Sequence, residues 1–298
     1  MRFPGPTHQN PMSGSKRHLE GKACLITGAT NGIGRVTAVE LASMGAELFL
    51  TYRDKARADE TVAEIRQKTG NDKIHLLKAD LGSQSQVRAA AAEFLATGKP
   101  LHILINNAGL GNTSRTLSAD GIEAVFAVNH LAYFLLTMLL LDCIKRSAPA
   151  RIVNVASEAH RFGTINFDDL GGEQRYRMFG AYSQSKLANI LFTYELARRL
   201  AGSGVIANCL HPGAIASGLW TNNGPLAQLI MKAAKPFLKT PEQGARTIIY
   251  LASSDEVEGV TGKYYANCKE KISNRESYEL DVARRLWEVS TQMTRIGL

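Results

Sequence analysis

The sequence predicts a single doubly wound α/β domain, with helices on both faces of a mostly parallel sheet of about seven strands. Two observations carry this prediction. Short apolar runs alternate with longer stretches of helical periodicity along most of the chain, as in repeated βα units. The 298 residues are 45% hydrophobic and contain no internal repeat or low-complexity linker, so they can bury one large core.

Seven apolar runs are the predicted strands: 23–27, 47–52, 74–79, 101–105, 151–157, 205–210 and 262–266. The fourth run is apolar throughout, as expected of a central parallel strand that is buried on both faces. We predict helices between these runs, with a long one at 119–144, one that begins at a capping box at 240–243, and a last one at 276–293. The domain is assigned to residues 21–298, after a polar tail at 1–20 that we expect to be flexible.

The composition argues against several classes of function. The net charge is +8, but the sequence has no block of five or six like charges, which disfavours nucleic-acid binding and suits an anionic small ligand. The cysteines are isolated and lack the Cys/His spacing of a zinc site, so we expect reduced thiols and no structural metal.

No segment of the sequence predicts a membrane span. The most apolar window, 131–141, is too short to cross a bilayer and is expected to be a buried helix. Residues 1–18 have neither the apolar core of a signal peptide nor that of an anchor. These features predict a cytoplasmic protein with no integral membrane segment.

A glycine-rich turn follows the first strand and leads into a helical pattern. A strand, a glycine turn and a helix in this order form the context that a dinucleotide-binding fingerprint requires. The glycines let the backbone approach a pyrophosphate, and the helix N-terminus offers unpaired N–H groups to it. The candidate cofactor-binding residues of this turn are Gly28, Thr30, Asn31, Gly32, Ile33 and Gly34. Because ordinary turns also use glycine freely, the motif alone does not establish a nucleotide site.

The ends of the second and third strands bear on which dinucleotide binds. In this fold an acid at the end of the second strand indicates NAD, and a nearby Arg accommodates the 2′-phosphate of NADP. Here Arg53 follows the strand and Asp54 comes too late, so we favour NADP(H) over NAD(H), although Arg53 could be a solvated loop cation. Asp80 could accept from an adenine amino group or help to begin the next helix, for which 83–86 resembles a capping box.

Polar residues also occur where a parallel sheet binds its ligands. The fourth strand ends in the small-residue turn Asn-Asn-Ala-Gly at 106–109, at the carboxyl edge of the sheet. Asn129 lies in the middle of the predicted long helix, among apolar residues, and needs either a water chain or a backbone group as its partner. Ser157 ends the fifth strand, where its hydroxyl can donate to a substrate carbonyl or simply cap a turn.

Tyr182 and Lys186 are the strongest candidate catalytic pair. Four residues apart on a helix, their side chains lie on one face and can share a site. A nearby cation favours the phenolate and lowers its pKa from the usual value near 10, so the pair could exchange a proton with an alcohol or carbonyl oxygen. On an ordinary amphipathic helix the same spacing is mostly accidental. His160 is a second candidate base, for a role that the Tyr182–Lys186 pair already fills.

Two further segments are candidates for contact with the substrate. The 24 residues between Ser157 and Tyr182 are long for a βα connection, which is typical of a functional loop. Residues 214–238 carry apolar residues at helical spacing, which predicts either a lid over an apolar substrate or a helix packed on the body of the domain.

Five features occur in order along the chain: the glycine motif at 27–34, Asn-Asn-Ala-Gly at 106–109, Asn129, Ser157, and Tyr-Ser-Gln-Ser-Lys at 182–186. Together they resemble the classical short-chain dehydrogenases/reductases, over residues 22–266. Stretches at 154–160, 181–192, 211–213, 262–269 and 283–287 are similar to the retinol dehydrogenase branch of that family. The sequence differs from that branch in lacking the membrane-anchoring N-terminus of many members, and the usual Ser-Ser pair is Ala156-Ser157 here.

The resemblance implies a Rossmann-type fold and a role for each catalytic candidate. Tyr182 is the expected general acid/base, and Lys186 lowers its pKa and holds the nicotinamide ribose. Ser157 positions the substrate oxygen, and Asn129 supports a water relay to Lys186. The implied cofactor-binding set adds Arg53, Asp80, Leu81, Asn107, Ala108, Gly109, Tyr182, Lys186, Pro212 and Gly213 to the residues of the glycine turn.

These observations predict an NADP(H)-dependent oxidoreductase that interconverts an alcohol and a carbonyl on a small apolar molecule. Two alternatives stay open at this point: a reductase of a sterol or polyketide-type intermediate, and a non-catalytic dinucleotide sensor. The intact Ser157, Tyr182 and Lys186 argue against the sensor. Helices after the fourth and fifth strands commonly pair subunits in this family, so a homodimer and a homotetramer are both open.

Overall fold

The structure is a computed structural model that describes residues 18–213 and 239–297. The predicted lid at 214–238 and most of the predicted tail therefore lie outside the described residues. Leu19 is buried in the core, and its N–H donates to the Met44 carbonyl at 3.0 Å. The folded domain consequently includes residues that the sequence assigned to the tail.

The described residues contain eight strands: β1 (Ala23–Ile26), β2 (Glu47–Tyr52), β3 (Ile74–Lys78), β4 (Ile103–Asn106), β5 (Ala150–Val155), β6 (Val205–His211), β7 (Tyr264–Ala266) and β8 (Lys269–Lys271). They form one sheet in the order β3-β2-β1-β4-β5-β6-β7-β8, in which only β8 is antiparallel to its neighbour. The doubly wound, mostly parallel fold is confirmed. The eighth strand was not predicted because its Lys-Glu-Lys sequence is fully exposed and shows no apolar alternation.

The helices are α1 (Gly32–Ser43), α2 (Lys55–Thr69), α3 (Gln84–Ala96), α4 (Ala124–Phe126), α5 (Ala132–Arg146), α6 (Met178–Arg199), α7 (Pro241–Ser253) and α8 (Leu280–Thr294). Alternate residues of the central strands face two different cores, as the period of a strand requires. Leu25 and Leu104 pack with side chains of α3, α5 and α6, whereas Ile26 and Ile105 pack with side chains of α1 and α7. Helices thus cover both faces of the sheet.

One predicted capping box is confirmed, and another is wrong although the helix begins where it was expected. The Thr240 hydroxyl accepts from Gln243 N at 3.3 Å, and the Gln243 side chain accepts from Thr240 N at 3.1 Å, which completes the capping box before α7. At α3, Ser83 is the N-cap by position, but its hydroxyl contacts Ser85 and makes no cap bond. The Gln86 side chain instead accepts from Asp80 N, which draws it away from a reciprocal cap.

The long helix predicted at 119–144 begins later and is not uniform. The Glu123 carboxylate accepts from Val125 N at 2.8 Å and Phe126 N at 2.7 Å, so α4 begins only after this residue. A π-helical turn, Ala127–Leu131, then leads into α5. Among the described helices, only the stretch at 124–146 is long and apolar enough to cross a membrane, and 83% of its 18-residue window is buried inside the protein.

Helix α6 runs through the interior, because the C-terminal helix α8 packs on it. Every residue of α6 from 182 to 197 is buried. Trp287 of α8 lies 5.1 Å from the Phe134 ring and 5.8 Å from the Phe192 ring, between ring centroids. The Arg199 guanidinium lies 4.2 Å from the centroid of the same indole, in a cation–π contact. The helix that carries Tyr182 and Lys186 is thus held on both sides.

Candidate active site

The glycine turn after β1 and the Asn-Asn-Ala-Gly turn after β4 lie side by side. The strand order reverses between these two neighbours, where open α/β sheets bind their ligands. The Thr27 hydroxyl accepts from Asn107 N at 2.9 Å and from Ala108 N at 3.1 Å. In return, the Asn107 amide donates to Thr27 O at 2.9 Å and to Gly28 O at 3.2 Å. Four hydrogen bonds therefore fix the two turns against each other.

The glycines of this crevice have two different structural roles: some allow close packing, and one borders open space. A Cβ atom placed on Gly34 would lie 2.2 Å from Gly28 O and 2.5 Å from Asn107 Nδ2, so Gly34 serves close packing. Gly28 has φ +66°, and a Cβ there would lie 2.8 Å from Ala108 Cα. Gly32 has φ +51° and borders open space, with no atom within 4 Å of a Cβ built on it.

The open space in front of Gly32 fits the pyrophosphate of a dinucleotide. Asn31 is the N-cap of α1 but makes no side-chain cap bond, and the first turn, which contains Ile33, carries no acid. The backbone N–H groups at this helix end thus stay available to an anion. Asn107 Oδ1 is buried beside the turn and has no hydrogen-bond partner among the described residues. The backbone N–H groups at the start of α1, the glycines without Cβ atoms and the Asn107 Oδ1 acceptor all suit a dinucleotide.

The candidates for the adenosine end lie at the same edge of the sheet. Arg53 follows β2, is exposed, and makes no hydrogen bond or ion pair with the described part of the chain. Asp54 is used as the N-cap of α2, where its carboxylate accepts from Arg57 N at 3.3 Å. Asp80 Oδ1 accepts from Gly82 N at 2.9 Å, so part of this carboxylate fixes its own turn, beside the half-buried Leu81.

Pro212 and Gly213 follow β6 at the carboxyl edge, as predicted. Gly213 has φ +95°, and its N–H donates to His211 Nδ1 at 3.1 Å. A Cβ atom on Gly213 would lie 2.7 Å from the Lys239 side chain. These two residues therefore border the sheet edge on the side opposite the glycine turn.

Asn129 lies in the π-helical turn and is fully buried. Its amide oxygen accepts from Leu110 N at 2.8 Å, and its amide nitrogen lies 3.0 Å from both Leu110 O and Ser185 Oγ. Asn129 thereby connects the loop after β4 to α6. The hydrogen-bond partner that the sequence required for Asn129 is mainly the backbone of Leu110. A Cβ atom on Gly109 would lie 3.3 Å from Asn129 Oδ1 and 3.4 Å from Lys186 Nζ, so all three are adjacent. The water relay stays a prediction.

Ser157, Tyr182 and Lys186 converge at the carboxyl edge of β5. The Ser157 hydroxyl lies close enough to the Tyr182 phenol to lower its pKa. Lys186 Nζ donates to Val155 O at 3.1 Å, and it lies 5.7 Å from the Tyr182 ring centroid and 5.8 Å from that of Tyr133. The three candidate catalytic residues are thus brought together by the end of one strand and one face of α6.

Burial shifts the pKa values of the pair in opposite directions. It raises the pKa of Tyr182 to about 12, an effect that the hydrogen bond to Ser157 partly offsets. It lowers the pKa of Lys186 to about 7, because the charged ammonium is withdrawn from water. The expected lowering of the Tyr182 pKa is therefore not found, since desolvation outweighs the effect of a cation that is itself only partly charged at neutral pH.

His160 is not a free base. Its Nε2 lies 3.1 Å from Asn274 N, a backbone group that can only donate, so Nε2 accepts. The proton is therefore on Nδ1, which donates to Ser157 O at 2.7 Å. Because both ring nitrogens are engaged and the ring is fully buried, the alternative that gave His160 the role of base was wrong.

The chain matches the family model described as short chain dehydrogenase over residues 22–226. This protein belongs to the short-chain dehydrogenase family. It is 45% identical to retinol dehydrogenase 14 of Mus musculus, over 99% of this chain and 92% of the relative. It is also 45% identical to retinol dehydrogenase 12 of Homo sapiens, over 93% of this chain and 88% of that relative. The predicted likeness to the retinol dehydrogenase branch is confirmed.

Solved structures show the same fold for this short-chain dehydrogenase. An uncharacterised protein from Mycobacterium paratuberculosis is 32% identical, with a TM-score of 0.74 and coverage of 94% of this chain and 95% of the other. RhlG from Pseudomonas aeruginosa, solved as an NADP active-site complex, is 28% identical, with a TM-score of 0.66 over 83% of this chain and 94% of the other.

Sequence reasoning missed several residues that shape the site. The Tyr133 hydroxyl donates to Ala108 O at 2.6 Å, and its ring lies beside the Lys186 ammonium. Asn106 donates to Asn154 Oδ1 at 2.8 Å across the adjacent strands β4 and β5, in a fully buried contact. The signal was available: each of these strands has one Asn near its carboxyl end, next to apolar residues, and a buried amide needs a partner.

Proposed function

We propose that this protein is an NADP(H)-dependent oxidoreductase that interconverts an alcohol and a carbonyl on a small apolar molecule. The observation that carries the proposal is the convergence of Ser157, Tyr182 and Lys186 beside a crevice built for a dinucleotide. The names of the relatives, retinol dehydrogenases 12 and 14, support an alcohol/carbonyl pair on an apolar skeleton.

The crevice supplies the contacts that a nicotinamide dinucleotide needs. The dinucleotide, when bound, provides or accepts the hydride. The backbone at Gly32 would hold the pyrophosphate, and Asp80 would accept from the adenine. Arg53 is the residue that favours NADP, because an exposed guanidinium with no partner among the described residues can pair with a 2′-phosphate through two hydrogen bonds. The NADP complex of RhlG supports this choice.

Proton transfer is assigned to Tyr182. With its pKa raised to about 12, the phenol is fully protonated near neutral pH and is an acid that can donate to a carbonyl oxygen as the oxygen becomes an alkoxide. Ser157, which lies near the Tyr182 phenol, would hold that oxygen by donating to it. Alcohol oxidation would return the proton to Tyr182 along the same path, and reduction is the expected direction in the cell with NADPH as the cofactor.

An apolar substrate is supported by the segment between Ser157 and Tyr182. Phe162 ends the turn that follows Ser157, and Phe179 lies one helical turn before Tyr182. Their ring centroids are 5.7 Å apart, and the side chains are 74% and 49% exposed. Two exposed aromatic rings beside the catalytic residues favour a substrate with an apolar body.

A cytoplasmic location is part of the same proposal. The one described helix of membrane-spanning length is mostly buried, as in the core of a soluble domain. Fractionation of cells that express the full chain tests this part: recovery with the membranes after a high-salt wash would contradict it.

The test of the reaction is oxidation of NADPH and NADH by the purified protein against a panel of apolar aldehydes and ketones that includes retinal, sterol ketones and polyketide-type ketones. We expect turnover with NADPH, and the ranking of the panel identifies the substrate class. Tyr182→Phe should lower kcat by about 10²–10⁴-fold and leave the cofactor Kd unchanged. Tight NADPH binding without turnover on any member would favour a dinucleotide sensor, and failure to bind either cofactor would overturn the proposal.

A further inference from the structure

The turn after Ser157 is held from outside by a segment near the C-terminus. The Ser157 hydroxyl accepts from Ala159 N at 3.3 Å and begins a 3-10 turn, Glu158–Phe162. His160, within this turn, donates to the Ser157 carbonyl with one ring nitrogen and accepts from the backbone of Asn274 with the other. The imidazole thus links the candidate catalytic serine to Asn274, which lies 114 positions after His160 in the chain.

Asn274 makes more contacts with the same turn through its side chain. Its amide nitrogen lies 3.2 Å from His160 O and 3.3 Å from both Arg161 O and Gly163 O. Its amide oxygen accepts from Glu276 N at 2.7 Å, which fixes the orientation of the amide. One side chain therefore contacts three carbonyl oxygens within four residues of the chain.

The opposite side of the turn presses against α6. A Cβ atom on Gly163 would lie only 2.5 Å from the carbonyl oxygen of Ser183, the residue next to Tyr182. The turn is thus confined between the helix that carries Tyr182 and the segment at 272–278. A small displacement of that segment must move the backbone of Ser157, and a misplacement of about 1 Å at a reacting group can cost roughly 10²-fold in rate.

We propose that His160 and Asn274 are positioning residues that set the Ser157 hydroxyl against Tyr182, so that residues 272–278 govern the geometry of the catalytic pair. The assignment rests on the proposed oxidoreductase function. It also makes a prediction that needs no turnover, since the influence of Ser157 on the Tyr182 phenol can be followed by spectroscopy.

The kinetic test is a double-mutant cycle of Asn274→Ala and Ser157→Ala in the full chain. We expect Asn274→Ala to lower kcat roughly 10- to 100-fold with an unchanged cofactor Kd, and to have less than about twofold effect when Ser157 is already Ala. The matched control is Asn71→Ala, because Asn71 also donates to two carbonyls, Ala42 O at 3.0 Å and Ala46 O at 2.9 Å, far from the site. It should lower the melting temperature without lowering kcat.

The second readout is the ¹³Cζ resonance of Tyr182 in tyrosine-labelled protein, assigned with Tyr182→Phe. Asn274→Ala should shift this resonance in the same direction as Ser157→Ala, and the double variant should show no further shift. If Asn274→Ala does not fold, His160→Asn, which keeps a donor near Ser157 O and removes the acceptor for Asn274, takes its place.

Equal losses of kcat with and without the Ser157 hydroxyl, or an unmoved Tyr182 resonance, would overturn the positioning role. A wild-type protein that is inactive on every carbonyl would refute the proposed function alone, because the resonance still decides the role of Asn274.

Discussion

The proposed dinucleotide crevice, between the turns after β1 and β4, and the turn after Ser157 are stabilised by different kinds of contact. In the crevice, Gly34 and Gly28 leave no room for even a methyl group, since a Cβ on Gly34 would lie 2.2 Å from a backbone oxygen. In the turn after Ser157, the side chains of His160 and Asn274 make the hydrogen bonds that fix the backbone. At Gly28 and Gly34 the first region therefore has no room for added atoms, whereas the second region depends on the side-chain atoms that are present. We therefore expect substitutions that add atoms to disrupt the crevice, and substitutions that remove atoms to disrupt the turn after Ser157.

The largest effect is expected from Gly34→Ala. Overpacking against Gly28 O and Asn107 Nδ2 should cost about 3 kcal/mol, because these neighbours are a backbone atom and a hydrogen-bonded amide that cannot move away. For a domain of this size, that corresponds to a fall in melting temperature of about 6–12 °C. We also expect loss of NADPH binding, measured by calorimetry on the protein that remains folded.

The matched control is Gly70→Ala at the C-terminus of α2. Gly70 has φ +66°, similar to Gly28, but nothing lies within 4 Å of a Cβ built on it. The change should cost only the left-handed strain of about 1–2 kcal/mol and leave cofactor affinity intact. If the two variants melted at the same temperature and bound NADPH equally, close packing would not be what defines the crevice.

A smaller effect is expected at the rim of the crevice. Arg53→Asp replaces an exposed cation with an anion, which removes one charged hydrogen-bond donor and repels a 2′-phosphate. The ratio of kcat/KM with NADPH to that with NADH should fall by roughly 10- to 100-fold, while stability changes little. Arg66→Asp, at the far end of α2, serves as the control with the same change of charge. An unchanged ratio would remove Arg53 from the phosphate site.

The smallest predicted effect concerns Lys186, which lies where the two regions meet. Its pKa of about 7 means that it is mostly neutral at pH 8. An anionic dinucleotide bound nearby favours the charged form and raises that pKa, so binding at pH 8 should take up as much as about one proton. Calorimetry in two buffers of different ionisation enthalpy measures this uptake. It should vanish in Lys186→Met and persist in Lys73→Met; equal enthalpies in both buffers for the wild type would contradict the prediction.

The architecture was predictable because local patterns decide it. The apolar run before the glycine turn specified β1, and the Thr240 capping box specified the start of α7. The spacing of Tyr182 and Lys186 also predicted that they share a helix face. Each of these features depends on residues that are neighbours in the sequence.

Contacts between distant residues were not predictable in the same way. The pKa of Tyr182 is raised because its ring is buried beside Val125, Ala159 and Leu110, which come from other parts of the chain. The true partners of His160 and Asn129 are backbone groups brought close only by the fold. Their side chains indicated that partners were needed but not which ones.

The burial of α6 by α8 bears on how the protein behaves at low concentration. Helices at this place commonly support one another across a subunit boundary in this family, yet here the cover on α6 comes from the same chain, through Trp287. The helix that carries Tyr182 and Lys186 is thus shielded from water within each molecule. Dilution that separates any assembly should therefore leave the burial of this helix unchanged.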